Sequence, residues 1–535
     1  MGDLGQRPPG PRRTALEVAF VCLVGAALFM PAMWAFDLRH PLEPQYAQTA
    51  HEIVAGGDWL VLHRNGEPYY NKPPLFFWLE ALGIKAFGLR TVAVRLPSAA
   101  LGIGSLVLCY LTAGLMGAAP LASSLVLATS WGYVTAAQRV SIDATLSFLI
   151  LLALYLYMRS DHGGTARWAW FAGAALAAAA AVMAKGPVAL LILVCAVFPY
   201  LIWRRRWAEV LHWKWAVAFL VVAAISVGWL VAVGRREGPA FYKRILGTEL
   251  ISRMDTDWEE KSPFYRYVLT FPTEFLPWVL YLPAALTLVW KRRNERFFQA
   301  LLWLAAGFIA LTLMPAKMER YLVPLCPPAA IVVGAYLAHR DCWAGLVGLA
   351  AYAVTAAGVI VGALVKGGDA TGPGLALGIA VLAASCSGLL LWRRFGFRAL
   401  VAVAAVGVVA YTLTVQPYRD NARSPKPMAA FLKAQGATAD QVVWFRDYDA
   451  GVAFYAGFPR MRRVNELASL HDYSGSYVIA RAGEAARTPE VFRQARAVGT
   501  FRIGSATYLV FKTPLGPAGS LPSGAAAVPA RQEQR

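Results

Sequence analysis

Nine ionisable side chains stand in or beside stretches that are otherwise apolar: Glu43, Lys72, Arg139, Asp143, Lys185, Glu249, Arg253, Lys317 and Arg320, with Tyr321 as a polar companion. A charge at membrane depth or at its boundary is costly to hold, so each is a functional candidate. Six of the nine are cations, which is what a phosphate or pyrophosphate needs at a membrane boundary, where ammonium and guanidinium groups form charge-assisted hydrogen bonds to it. Taken singly, each Lys or Arg is also compatible with snorkelling or with a lipid headgroup. As a set they point to one anion. Among the carboxylates, Glu43 is the candidate base. Asp143 lies four residues after Arg139, the spacing of an ion pair at a helix start, and Glu249 stands in the same relation to Arg253.

A membrane is needed to position these groups. The 535-residue chain is 58% hydrophobic and 15% charged, against about 45–50% apolar and about 25% charged for soluble domains. Apolar runs fall near 16–36, 92–115, 120–137, 143–158, 168–184, 187–203, 213–234, 265–290, 298–314, 321–338, 343–365, 373–392 and 397–416. Each can cross the hydrocarbon core as a helix that satisfies its own backbone. The expected fold is an all-α polytopic bundle of about 13 transmembrane helices, filling residues 1–417. The run from Leu16 to Phe36 follows Arg12-Arg13 as a signal peptide would, but it is longer than a usual signal core and reads as a retained first helix with its N-terminus inside.

That orientation places the tracts Arg204-Arg205-Arg206, Lys291-Arg292-Arg293 and Arg393-Arg394 on the cytoplasmic side, as the positive-inside rule requires. These tracts account for much of the net charge of +20, so nucleic-acid binding is disfavoured. The six cysteines all lie in or beside apolar runs. Their spacing fits neither a disulfide framework nor a zinc finger, and they read as small packing residues.

The same topology leaves residues 37–91, the 138–142 turn, residues 235–264 and everything after 417 outside. Tyr46, Thr49, Ala50 and Ile53 have helical spacing, which suggests interfacial amphipathic helices in the first loop. Phe76 to Trp78 read as an aromatic belt. Beyond Arg419 alternation replaces long apolar runs, and 441–445, 477–480 and 506–511 read as strands, with a helix at 427–435. A small external α/β domain over 418–514 is expected, followed by a disordered tail over 515–535.

Several segments then occur in a telling order: Leu42-Glu43-Pro44-Gln45-Tyr46-Ala47, Gly57-Asp58-Trp59-Leu60-Val61, and Asn65-Gly66-Glu67-Pro68-Tyr69-Tyr70-Asn71-Lys72-Pro73-Pro74-Leu75. Arg95-Leu96-Pro97-Ser98, Asp143, Lys185-Gly186-Pro187, Pro263-Phe264 with Pro277-Trp278, and Lys317 with Tyr321 and Pro324 follow. Over about residues 15–340 this resembles the bacterial aminoarabinose transferases and their relatives, the protein O-mannosyltransferases. The resemblance implies a C-class glycosyltransferase fold in the bacterial inner membrane, a polyprenyl-phosphate sugar as donor, and a lipid, glycan or protein acceptor at the external face. Residues implied as catalytic are Glu43, Lys72, Lys317 and Tyr321. Tyr46, Tyr70, Asn71, Arg139, Asp143, Lys185, Glu249 and Arg253 are implied as substrate-binding.

Two departures from the family pattern matter. An Asp-Glu pair opens the family's first-loop motif, with an Arg two residues after the Glu, whereas this chain has Leu42, Glu43 and Gln45. The key Asp is absent. The aminoarabinose branch also pairs a Glu before the Lys-Pro motif with a later His, and here those positions read Asn71 and Glu260. That is a poor zinc set, so no metal or other cofactor is carried over. A transporter or flippase of lipid-linked sugars, or a non-catalytic descendant, are the competing readings. The chain shows no internal repeat of the kind transporters carry.

Overall fold

The computed structural model describes residues 10–161, 163–244, 262–293, 295–315, 317–338, 342–465, 476–488, 492 and 496–512. Glu249, Arg253, Glu260 and the tail lie outside them. Among the described residues, nine helices are long and apolar enough to cross a membrane. They are Pro11–Ala35, Thr91–Leu115, Ile142–Asp161, Arg167–Lys185, Trp207–Glu237, Glu319–Leu337, Gly345–Val365, Thr371–Phe395 and Phe397–Asn421. Two further expected spans, Val188–Trp203 and Phe298–Leu313, form shorter apolar helices. The protein is a multi-pass membrane protein.

The remaining two apolar runs are not straight spans. Residues 120–137 divide into Pro120–Ala128 and Trp131–Ala137. At the break, the Thr129 hydroxyl donates to the Leu125 carbonyl (2.7 Å) and the Ser130 hydroxyl to that of Val126 (2.7 Å), local bonds that bend helices. The run at 265–290 forms Arg266–Glu274 and Trp278–Lys291, which meet at 110°. Pro277 lies in the bend and has no N–H with which to continue the helix.

The first loop folds into two helices, Leu42–Gly56 and Leu75–Phe87. The first ends at Gly57, whose φ of 70° is the left-handed conformation glycine tolerates best. Tyr46, Ala47, Ala50 and Ile53 are buried against Phe76, Phe77, Ala81 and Ile84. This corrects the aromatic-belt expectation: Phe76 and Phe77 are fully buried and meet the Tyr46 ring edge-on at 5.6 and 5.7 Å. An apolar triplet looks the same in sequence whether protein or lipid covers it.

Glu80, on the second loop helix, is also fully buried, and neither of its carboxylate oxygens has a hydrogen-bond partner among the described residues. Burial, reinforced by the charge of Glu43, pushes its carboxyl well above the usual range and favours the protonated form. The folded state thus keeps a proton that the unfolded chain releases above a pKa of 4.5. Stability must fall as pH rises from there through the folded pKa. Glu80→Gln should therefore raise the melting temperature more at pH 8 than at pH 5, and equal shifts at the two pH values would refute the assignment.

The C-terminal residues form a five-stranded sheet in the spatial order Arg462–Val464, Val442–Phe445, Tyr477–Arg481, Ala506–Lys512, Arg496–Ile503. Its first three strands are parallel and the last two antiparallel. The expected strands are present. Arg462–Val464 and Arg496–Ile503 were not anticipated, and the expected helix spans Lys426–Ala434. Asp449 caps the Ala450–Ala456 helix by accepting from the Gly451 and Val452 amides (2.8 and 3.1 Å). The domain is seated on the first loop. Gln48 donates to the Phe458 carbonyl (3.0 Å), Asn65 accepts from the Met461 amide (2.8 Å), and Lys426 pairs with Asp37 (3.1 Å).

Candidate functional site

At the entrance to the Leu42–Gly56 helix, Glu43 meets Arg95, a guanidinium with no exposed surface. Arg95 Nη2 donates to Glu43 Oε2 at 2.8 Å and its Nε to Oε1 at 3.3 Å. Its remaining donors reach the carbonyls of Ala32 (2.6 Å), Phe36 (2.7 Å) and Asp37 (2.9 Å). Glu43 further accepts from the Arg39 amide (2.7 Å) and the Val140 amide (2.7 Å). Each carboxylate oxygen thus accepts twice, and the pair clasps the end of the first span, the first loop, the Thr91–Leu115 helix and the 139–141 turn. This changes the role expected of Glu43, because a carboxylate committed to four donors is poorly placed to act as a base.

The clasp fixes the start of the Ile142–Asp161 helix, where Ser141 is also held by its amide to the Ser98 hydroxyl (3.1 Å). One residue into that helix, Asp143 is buried and forms an ion pair with Lys185, the last residue of the Arg167–Lys185 helix. The expected Arg139–Asp143 pair is therefore corrected. Arg139 precedes the first helical turn, so the i to i+4 geometry does not exist. Arg139 instead lies within electrostatic reach of Glu43, Asp420, Arg39 and Arg95, and burial, together with Arg39, lowers its pKa to about 10.

The Lys185 ammonium also sits 4.4 Å from the centroid of the Tyr321 ring, a cation–π contact. Tyr321 belongs to the short 3₁₀ segment Glu319–Leu325, and the preceding turn is held by the Tyr267 hydroxyl on the Met318 carbonyl (3.3 Å). Lys317 is buried and donates to the Met314 carbonyl (2.7 Å). Tyr46 approaches from above. Its buried phenol is pushed upward in pKa by desolvation and pulled back by Arg320, with Asp143, Tyr69 and Tyr321 also within reach. Tyr46, Asp143, Lys185, Arg320 and Tyr321 therefore converge on one place.

The other expected residues take different positions. Tyr70 turns towards the second loop, donating to Glu237 (2.6 Å) and packing on Phe241 at 4.9 Å. Asn71 is exposed and Lys72 half-buried. Among the described residues no three His, Cys, Asp or Glu side chains come close enough to hold a metal ion, and no step is derived through one.

Sequence reasoning gave two residues no role, Arg95 entering only through the Arg95-Leu96-Pro97-Ser98 motif. Arg95 sits in an apolar span, which was itself a signal. Glu274 stands at the end of the first arm of the bent helix pair, within electrostatic reach of Asp143, Glu319 and Arg139. Its Oε2 lies where a Cβ on Gly132 would be only 2.2 Å away, so glycine there makes room for the carboxylate. It too was a lone charge in an apolar run.

Residues 15–236 match the family model for dolichyl-phosphate-mannose-protein mannosyltransferase. Undecaprenyl phosphate-alpha-4-amino-4-deoxy-L-arabinose arabinosyl transferase 2 of Pseudomonas fluorescens strain Pf0-1 is 30% identical over 308 residues, covering 56% of this chain and 56% of that protein. The corresponding transferase 1 of P. fluorescens strain Pf-5 is 32% identical over 340 residues, covering 62% and 60%. The matched part thus spans less than two thirds of these relatives. Among solved structures, ArnT from Cupriavidus metallidurans bound to undecaprenyl phosphate superposes with a TM-score of 0.81 at 20% identity, covering 96% of this chain and all of that one. An oligosaccharyltransferase from Archaeoglobus fulgidus gives 0.51 at 12% identity, covering 93% of this chain and 74% of that one. The chain is similar to the aminoarabinose transferases and protein O-mannosyltransferases its motifs resemble, and it has the C-class glycosyltransferase fold.

Proposed function

We propose that this protein is a glycosyltransferase that moves a sugar from a polyprenyl-phosphate carrier to a lipid, glycan or protein acceptor. The observation that carries the reading is the convergence of Lys185, Arg320, Tyr321 and Tyr46 on Asp143 where three spans end beneath the first loop. Transfer breaks the bond between the sugar's anomeric carbon and a carrier phosphate oxygen, and charge grows on that oxygen as it leaves. Cations fixed beforehand are the most effective stabilisers of such charge. Lys185 and Arg320 occupy that role beside Tyr321, and Lys317 lies three residues before Arg320. Asp143 orients Lys185, and Glu43 acts through Arg95 and Val140 as a positioning residue. The relatives' names supply the donor class, undecaprenyl phosphate-linked aminoarabinose, and lipid A phosphate or a protein hydroxyl is the acceptor the family resemblance suggests.

The site faces the outside of a bacterial inner membrane. What supports this is that the helices carrying Asp143 and Lys185 have Arg159 and Arg167 at their opposite ends, and basic residues favour the cytoplasmic side. The C-terminal sheet domain shares the site's face through its seat on the first loop. Purified protein mixed with a panel of polyprenyl-phosphate sugars and bacterial envelope acceptors should release free polyprenyl phosphate over time. No release with any donor, from protein that still binds the carrier, would overturn the proposal in favour of a non-catalytic role.

A further inference from the structure

The two interrupted helices meet break to break. The Trp131 amide donates to the Leu276 carbonyl (2.9 Å), and the Trp278 indole Nε1 donates to the Thr129 hydroxyl (3.1 Å). Groups released where a helix is interrupted at membrane depth must be satisfied by neighbouring protein, and these two helices satisfy one another. The joint positions Glu274, the last residue of the Arg266–Glu274 arm. Its carboxylate and its carbonyl both lie against Gly132, where a Cβ would come within 2.2 and 3.0 Å of them. The start of the same arm is tied to the Glu319–Leu325 segment by the Tyr267 hydroxyl on the Met318 carbonyl. The Trp131–Ala137 helix runs on into the 139–141 turn that precedes Asp143. Glu274 is thus held by elements that lead to Asp143 on one side and to Arg320 and Tyr321 on the other. Glu319, Asp143, Arg139 and the buried Cys326 thiol are within electrostatic reach of it.

An acceptor hydroxyl has to lose a proton as it attacks the anomeric carbon, and the neighbouring carboxylates are otherwise engaged. Glu43 accepts four hydrogen bonds, and Asp143 is paired with Lys185. Asp420 lies among Arg139, Arg39, Glu43 and Arg95 at the clasp, and Glu319 is exposed. Glu274 is half-buried, and among the described residues its carboxylate makes no hydrogen bond and no ion pair. A carboxylate kept among apolar spans in that state is costly and marks chemistry. Resting on the glycosyltransferase reading, we propose that Glu274 is the general base of the transfer and that the acceptor group is a hydroxyl, of a glycan lipid or of a protein side chain. The acceptor oxygen bonds to the anomeric carbon as its proton passes to Glu274. The bond from that carbon to the carrier phosphate oxygen breaks, its electron pair leaves with polyprenyl phosphate, and Glu274 then gives the proton to water. Lys185, aimed by Asp143, serves the leaving side, and Glu274 serves the attacking side.

The test follows polyprenyl phosphate release by the full chain in detergent, across pH, with three acceptors: a serine- and threonine-rich peptide, dephosphorylated lipid A and phosphorylated lipid A. The first two separate the sources of the hydroxyl. Glu274→Gln should bind the carrier like wild type and lower turnover about 10²- to 10⁴-fold, the usual contribution of a general base, and its rate profile should lose the acid limb that wild type shows. Added formate should restore turnover to Glu274→Ala, because a small carboxylate can replace a deleted base but not a deleted structural contact. Glu319→Gln should keep the wild-type profile. If wild type releases no carrier with any donor, the glycosyltransferase reading falls and the base assignment with it. If wild type is active and Glu274→Gln matches it, if transfer requires the lipid A phosphates, or if the acid limb disappears in Glu319→Gln instead, the base assignment alone is overturned.

Discussion

Arg95→Met should cost the folded protein about 3–5 kcal/mol, because it leaves Glu43 as a buried charge without its partner. The guanidinium has no exposed surface and spends its donors on Glu43 and three carbonyls, so no solvent is at hand to take its place. The loss is read as a drop in melting temperature in detergent. Glu43→Gln should cost a comparable amount, since it leaves the buried Arg95 guanidinium without its counter-charge and turns an amide donor towards donors that the carboxylate accepts. The pair Glu43→Gln/Arg95→Met should cost less than the sum of the singles, because contacting residues couple. Additive losses would mean that the two side chains act separately and that the clasp is not one unit. Transfer activity separates positioning from mere stability. At a temperature where Glu43→Gln remains folded, the displaced 139–141 turn should lower the turnover rate, since Asp143 follows the Val140 amide that Glu43 holds.

How much of this was legible beforehand depends on the range over which each feature is encoded. Span existence was legible, because a helix crossing lipid satisfies its own backbone and needs only local apolar length. Direction within a run was not. Residues 120–137 and 265–290 pass as single spans by composition, yet Thr129 and Ser130 break the first and the second turns at Pro277. The candidate charges were legible because each is anomalous where it stands. Their partners were not: Glu43 is 52 residues from Arg95, and Asp143 is 42 from Lys185. The nearest opposite charge in sequence, Arg139 for Asp143, proved to be the wrong partner, because a local spacing rule holds only inside a helix that includes both residues. In the C-terminal domain Val442–Phe445 and Tyr477–Arg481 were visible as apolar runs, while Arg462–Val464, with two exposed arginines, carried no such mark.

Lys185→Met and Asp143→Asn should each lower the turnover of polyprenyl-phosphate release by about 10²- to 10³-fold, the usual effect of losing one fixed stabiliser of developing charge. The two differ in what else they do. Lys185 is proposed to touch the carrier phosphate, so Lys185→Met should also raise the donor KM. Asp143 acts through Lys185, and Asp143→Asn leaves the ammonium over the Tyr321 ring with no carboxylate to aim it. Donor KM should then stay constant or fall, because an unpaired cation attracts phosphate at least as well, while turnover drops because the charge is no longer held where the departing oxygen forms. Since the pair works as one unit, the double variant should be no slower than the slower single, as interdependent catalytic groups behave. If Asp143 were instead the base that deprotonates an acceptor hydroxyl, the losses would multiply, and the Asp143→Asn profile would lose its acid limb. Independent multiplication would therefore move Asp143 from positioning residue to catalytic residue.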